Sequence, residues 1–300
     1  AGAWFEWKII LSLLLTSYVL LFLGIVFSLK TLALRNKTMI GASLPMLVIF
    51  TSTILLHNVV DTPAYATLAA FGLSSIFCFF FVKSFEETGF RSQLLAGLFL
   101  GFLVLIRLET ALIAGSLCIF LIVSKKWRFL KYLVLGGSLP LAILLVYNYS
   151  QFGTLFHSGI LRGDINQLGL DPSYIYANLF NPKSGILFFS FFTFLGLIGV
   201  FLGDRKPLKA LGIASLVLIA LLLVRVPIMY KNMGGGTLNI GGILVTSPRT
   251  MEEALMLVRS DANRYVTVLS PFAILGLQNL IYYFWRLFRK EKHARDPIVV

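Results

Sequence analysis

The residues of this chain that could do chemistry are few and fall in groups. His57, Asn58 and Asp61 lie within one short stretch, and Arg107 and Glu109 flank a single leucine. Arg225 follows an apolar run, while Lys231, Arg249, Arg259 and Arg264 share a glycine-rich segment. His157, Arg162, Asp164 and Asp171 share another polar segment. Guanidinium and ammonium groups hold anions through charge-assisted hydrogen bonds, and imidazoles and carboxylates move protons or orient hydroxyls. Each group also has a structural alternative. Arg107 and Glu109 would pair at a turn, His57 and Asp61 would cap a turn before Pro63, and the other cations would be interfacial anchors or a solvated loop face. No metal site is expected, because Cys78 and Cys118 both sit inside apolar runs and read neither as ligands nor as a disulfide framework. No residue is assigned as the catalytic group.

The elements that must carry these residues follow from composition. Of 300 residues, 58% are hydrophobic and only 13% charged, about half the charge of a soluble domain. That balance excludes a nucleic-acid binder, a secreted disulfide scaffold and a disordered chain, and it points to a polytopic membrane protein. A bilayer core about 30 Å thick needs roughly 20 apolar residues in a helix. Spans are expected at Ile9–Leu29, Met39–Val60, Pro63–Val82, Tyr132–Ser150, Gly185–Gly203, Ala210–Met229 and Tyr265–Trp285.

The stretch Leu94–Val123 would run about 45 Å as one helix, with Arg107 and Glu109 at its centre, where charge is costly. A turn at Arg107–Thr110 makes it a short hairpin. Charge supports that choice. With the turn, Lys30, Arg35, Lys37, Lys83, Arg91, the Lys125–Lys131 group, Arg205, Lys206, Lys209 and the Arg286–Arg295 group share one face, which holds most of the 26 basic residues. The positive-inside rule then makes that face cytosolic. The expected fold is an all-α transmembrane bundle of about nine passes in one domain, 1–300. Its first residue lies outside, its C-terminus is cytoplasmic, and its longer outer loops cover 151–184 and 230–264. The net charge of +13 is thus mainly a topology signal.

Depth sorts the polar groups further. Span interiors hold Ser, Thr, Gly, Pro and Gln278 but no charge at the midplane, where ion-coupled transporters and pumps place ionisable residues. The less common residues collect at the outer ends, as an outward-facing site requires. In the second outer loop, Gly234–Gly236 and Gly241-Gly242 mark a flexible segment, and Thr250 with Glu253 reads as the capping box of a short interfacial helix. No Walker loop is present. The sequons at Asn36 and Asn148 are discounted, since one is cytosolic in this arrangement and the other borders lipid.

Several strings resemble a known family. Tyr147-Asn148-Tyr149-Ser150-Gln151-Phe152-Gly153-Thr154 is similar to the YN-x-x-x-FG-x-P passage of GT-C superfamily glycosyltransferases of the protein-mannosyltransferase-like type. Asn181-Pro182-Lys183-Ser184-Gly185 through Ser190 resembles their NP-x-x-GLFFYSP string, and Arg264-Tyr265 with Pro271-Phe272 their RYLLPLLPF segment. Ala96-Gly97-Leu98 through Gly101, Arg107 and Thr110-Ala111 resembles a further family string, although Leu108-Glu109 stands where proline is usual.

The resemblance implies sugar transfer from a polyprenyl-phosphate sugar to a glycan, lipid or protein acceptor at the outer face of a bacterial inner membrane. It needs no cofactor and no nucleic acid. Arg264, beside Tyr265, is the implied phosphate ligand, with Arg107 and Lys231 as further cations. Glu109, His57 and Asp61 are candidates for sugar or acceptor contact. The family's catalytic acid lies in the first outer loop, so the resemblance implies that it precedes Ala1 and that this chain is the C-terminal part of a longer protein. The competing readings are a transporter or lipid flippase, and a non-catalytic membrane scaffold.

Overall fold

A computed structural model describes residues 2–34, 39–52, 59, 66–87, 89–155, 166–168, 179–180, 191–203, 206–227, 237–240, 243–246 and 267–284. Among the described residues are nine helices: α1 (Gly2–Ala33), α2 (Met39–Ser52), α3 (Ala66–Glu86), α4 (Phe90–Ile106), α5 (Ala111–Val123), α6 (Trp127–Phe152), α7 (Phe191–Leu202), α8 (Lys206–Val224) and α9 (Thr267–Phe284). Four of the helices contain stretches long and apolar enough to cross a membrane: Ile10–Ala33 within α1, α3, α6 and α9. That is the character of an integral membrane protein. α4, α7 and the segment Leu108–Val123 are apolar but shorter.

Burial separates the four long spans. The apolar windows of α3 and α9 are 78% and 67% buried, against 17% for α1 and 22% for α6. α3 and α9 therefore form the middle of the bundle. α1 and α6 present leucines, valines and aromatic residues outward, among them Leu11, Phe22, Leu139 and Val146. A helix apolar on all sides but half uncovered suits a hydrocarbon solvent rather than water.

Lipid tails are as apolar as leucine, so helices in a membrane gain little from burying apolar faces and must pack closely instead. Glycine permits that approach here. A Cβ on Gly72 of α3 would run into the Leu20 carbonyl of α1, and one on Gly97 of α4 into the Leu133 carbonyl of α6. A Cβ on Gly276 of α9 would strike the Gly196 carbonyl of α7. Phenylalanines fill the layers between: Phe27 of α1 meets Phe79 at 5.2 Å, Phe80 stacks on Phe99 of α4 at 5.9 Å, and Phe77 meets Phe272 of α9 at 6.3 Å. Hydroxyls buried in these layers bond locally, as Ser75 and Ser215 do by donating to carbonyls one turn back at 2.8 and 2.7 Å. One such bond crosses helices, from Ser28 Oγ to Ser75 Oγ at 3.1 Å.

Contacts fix the directions of neighbouring helices. Phe80 lies against Phe99 while Thr67 meets Arg107, so α3 and α4 are antiparallel. Gly97 meets Leu133 and Gly101 meets Pro140, so α4 and α6 are parallel and in direct contact, and α5 runs the opposite way. Gly196 faces Ala273 and Gly203 faces Asn279, so α7 and α9 are also parallel. One end of this bundle then carries Lys30, Lys83, Arg91, Lys125, Lys126, Arg128, Lys131, Lys206 and Lys209.

Two short antiparallel ribbons complete the described structure. β1 (Asn166–Leu168) pairs with β2 (Arg225–Pro227), and β3 (Thr237–Ile240) with β4 (Ile243–Thr246). They correct two expectations. The span read as Ala210–Met229 ends as helix at Val224, and the chain turns extended at Arg225; Pro227 disfavours a helical Val226 before it and has no amide to continue the ladder. The segment read as flexible holds an antiparallel ribbon, in which Thr237–Ile240 pairs with Ile243–Thr246.

Candidate functional site: the Arg107 turn and the cleft beneath it

The sequence Ile106-Arg107-Leu108-Glu109-Thr110-Ala111 breaks one long apolar run without glycine or proline. Arg107 leaves the helix at φ −137° and ψ 93°, while its N–H still donates to the Leu103 carbonyl at 2.8 Å. Thr110 then closes a 3₁₀ turn, Leu108–Thr110, by placing two donors on one acceptor. Its N–H reaches the Arg107 carbonyl at 2.9 Å and its Oγ1 reaches the same oxygen at 2.6 Å. Thr110 is 1% exposed, so these bonds satisfy groups that have no access to water.

Charge also suits the break. Arg107 directly follows the C-terminus of α4, where the helix dipole favours a cation, and Glu109 lies two residues before the first residue of α5, where it favours an anion. Both side chains are half-buried. The Arg107 guanidinium donates from Nη2 to Thr67 Oγ1 at 3.4 Å, which ties the turn to the first turn of α3. Thr67 is fully buried.

Beneath the turn lies a cleft of about 260 Å³ between α4, α5 and α6. Gly97, Gly101 and Leu105 form one wall, Ala114 and Cys118 a second, and Gly137 with Pro140 a third. The glycines let α4 and α6 close on each other along it. Val134 and Leu141, both more than half exposed on α6, lie along its edge, so it opens on the flank of the bundle. Its few polar groups are occupied or weak: the Ser138 hydroxyl donates to the Leu135 carbonyl at 2.7 Å. Leu105, two residues from Arg107, and Ala114, four from Thr110, bring its upper end close to the turn. Such a space holds hydrocarbon and offers no general acid or base.

Comparison with family models, with curated proteins and with solved structures found no match to this chain. Its reading therefore stands on geometry and chemistry.

Of the residues singled out in the sequence, Arg107 and Glu109 share the turn. His57, Asp61, Lys231, Arg264 and Tyr265 lie outside the described residues, as do the Thr250 helix and the Asn181–Ser190 string. Two other family-like strings have local structural roles. Asn148 is buried and its Nδ2 donates to the Leu155 carbonyl at 3.2 Å, while Gly153 adopts φ 69° and donates to the Tyr149 carbonyl at 2.9 Å. The Tyr147–Thr154 string thus ends α6 with a left-handed glycine cap and an asparagine clasp. Ala96, Gly97 and Gly101 lie on the face of α4 that meets α6. Thr67 and Gly137 were not singled out, and Gly97 and Gly101 entered only through a family-like string; their four-residue spacing was the available signal of a helix contact.

Proposed function

We propose that this chain is the membrane portion of a glycosyltransferase that moves a sugar from a polyprenyl-phosphate donor to an acceptor at the outer face of a membrane. The observation that carries the reading is the half-buried Arg107 at the head of an apolar cleft that opens sideways. An isoprenoid segment lies in the cleft and the carrier phosphate meets the guanidinium, a charge-assisted contact that strengthens as the phosphate leaves. Arg264 and Lys231 supply the further cations. The nine helices are nine passes, the basic end is cytoplasmic, and the Arg107 turn lies below the outer headgroups. The membrane is a bacterial inner membrane.

Polyprenyl-phosphate binding to the protein in nanodiscs tests this reading. Arg107→Ala should weaken binding by about tenfold or more while the fold is kept, since a hydrogen bond to a charged group contributes roughly 1.5–3 kcal/mol. Unaltered binding sinks the assignment. The laterally open cleft also suits a lipid flippase. That reading requires carrier lipid to change leaflets in proteoliposomes, and an immobile carrier excludes it.

A further inference from the structure

The basic end of the bundle carries more than an orienting surplus of charge. The α5–α6 connection is only Ser124, Lys125 and Lys126, and it is tight enough to hold Lys125 at φ 56°, a left-handed conformation unusual for a side chain of this size. The turn brings the Lys126 ammonium to 3.9 Å from the centre of the Phe85 ring. That ring is fixed in turn by Phe129 at 5.2 Å and Phe120 at 6.4 Å. α8, which packs on α5, starts at Lys206 beside this platform.

Lys126 and Lys206 repel each other there. Partial burial, and then the Lys206 charge, hold the Lys126 ammonium below its ordinary pKa. Among the described residues neither lysine has an ion pair, whereas Lys83 is matched by Glu87 at 3.4 Å. Arg128, Lys131 and Lys209 are exposed at the same end, against Glu86 and Glu87 as the described acids; Asp204 lies outside the described residues. A lysine held on an aromatic floor, with a second lysine close enough to repel it, forms a receptor for an anion.

We infer that Lys126 and Lys206, on the Phe85 platform, bind the phosphate of an anionic phospholipid headgroup at the basic end of the bundle. The lipid's acyl chains lie along the uncovered apolar flanks of the neighbouring helices, and Arg128 and Lys131 extend the positive field around the headgroup. This site lies at the end of the bundle opposite Arg107 and does not depend on the glycosyltransferase reading.

Native mass spectrometry of the protein released from nanodiscs, with phosphatidylglycerol mixed into phosphatidylcholine, tests the site. Wild type should retain phosphatidylglycerol in preference to phosphatidylcholine, and Lys126→Gln with Lys206→Gln should reduce that retention by roughly tenfold. Lys8→Gln, at the opposite end, should leave it unchanged. Lys126→Arg keeps the charge and should keep the lipid, which separates loss of the site from loss of fold. Equal retention of the two lipids by wild type, or full retention by the double variant, overturns the proposal. Displacement of the lipid by soluble glycerophosphoglycerol at matched concentration also overturns it, because the site would then serve a free phosphate.

Discussion

Arg107 and Thr67, 40 positions apart in sequence, share a 3.4 Å hydrogen bond that ties the α4–α5 turn to the start of α3. The bond spans two adjacent helices at one end of the bundle. It also holds the guanidinium at the rim of the cleft and satisfies a threonine hydroxyl buried away from water. Thr67→Val removes the acceptor but leaves the charge. It should cost about 1 kcal/mol of stability and weaken polyprenyl-phosphate binding less than Arg107→Ala does. Thermal unfolding in detergent and a binding titration on both variants check this. The assignment of Arg107 to phosphate fails if the two variants lose binding equally.

Gly137 lines the cleft and has room for a first side-chain carbon. At Gly137 the nearest atom to an added Cβ is the Gly97 carbonyl oxygen at 3.5 Å, an ordinary contact. Gly137→Leu should therefore fold, occupy the space below Arg107 and reduce carrier binding by about tenfold. Gly136→Ala, one residue away, should instead unfold the α4–α6 contact, because its Cβ meets the Leu94 carbonyl. A Gly137→Leu protein that keeps both its melting temperature and its carrier affinity would show that the cleft is not where the chain lies.

Close helix packing makes a second pair of glycines diagnostic. Gly276→Ala should cost several times the roughly 1–3 kcal/mol of ordinary overpacking, since the obstacle is the rigid Gly196 carbonyl. Gly115→Ala on α5 meets nothing within 4 Å. It should be neutral, or stabilising by up to about 1 kcal/mol from helix propensity. Melting temperatures measured side by side decide the point, and similar losses for both would contradict the α7–α9 crossing.

Lys126 gives the protein a specific response to alkali. Its folded-state pKa lies below the unfolded value of 10.5, chiefly through burial and then through Lys206. Between the two values the unfolded chain binds more protons, so this group adds stability as pH rises through that window. Below the folded-state value both states are charged and the full penalty applies. In Lys126→Gln that upward contribution should vanish, and in Lys206→Gln it should shrink. Unfolding midpoints followed from neutral pH to about 10.5 measure it, and an unchanged slope in both variants would exclude the repulsion.

The nine-pass arrangement has its own check. Single cysteines at Lys125 and Lys206, in a background lacking Cys78 and Cys118, should react with a membrane-impermeant maleimide from one side of sealed vesicles. A cysteine at Thr154 should react only from the other. Labelling of Lys125→Cys and Thr154→Cys from the same side would make α6 a helix that does not cross.

The alternation of apolar runs with basic clusters was legible in the sequence because hydrocarbon solvation and charge act on single residues, without reference to neighbours. The break at Arg107 was legible for the same reason: an arginine and a glutamate cannot sit at the middle of one long span. The ribbons were not. Arg225–Pro227 follows a run apolar enough to continue as helix, and its partner Asn166–Leu168 is remote in sequence. The family-like string at Tyr147–Thr154 was legible as a pattern, but its local role as a helix cap depends on where the Asn148 side chain points.

The sequence by itself determined the solvent of this protein and the break in the chain at Arg107. Only the tertiary structure decided which helices are central, since spans that are apolar on every side carry no stripe to mark the packed face. α3 and α9 are inside because their glycines and phenylalanines meet partners on several flanks, whereas α1 and α6 remain largely uncovered. The cleft below Arg107 is likewise a product of three helices brought together. Glycines on α4 and α6 let those helices meet where α5 folds back, and no single stretch of sequence contains that space.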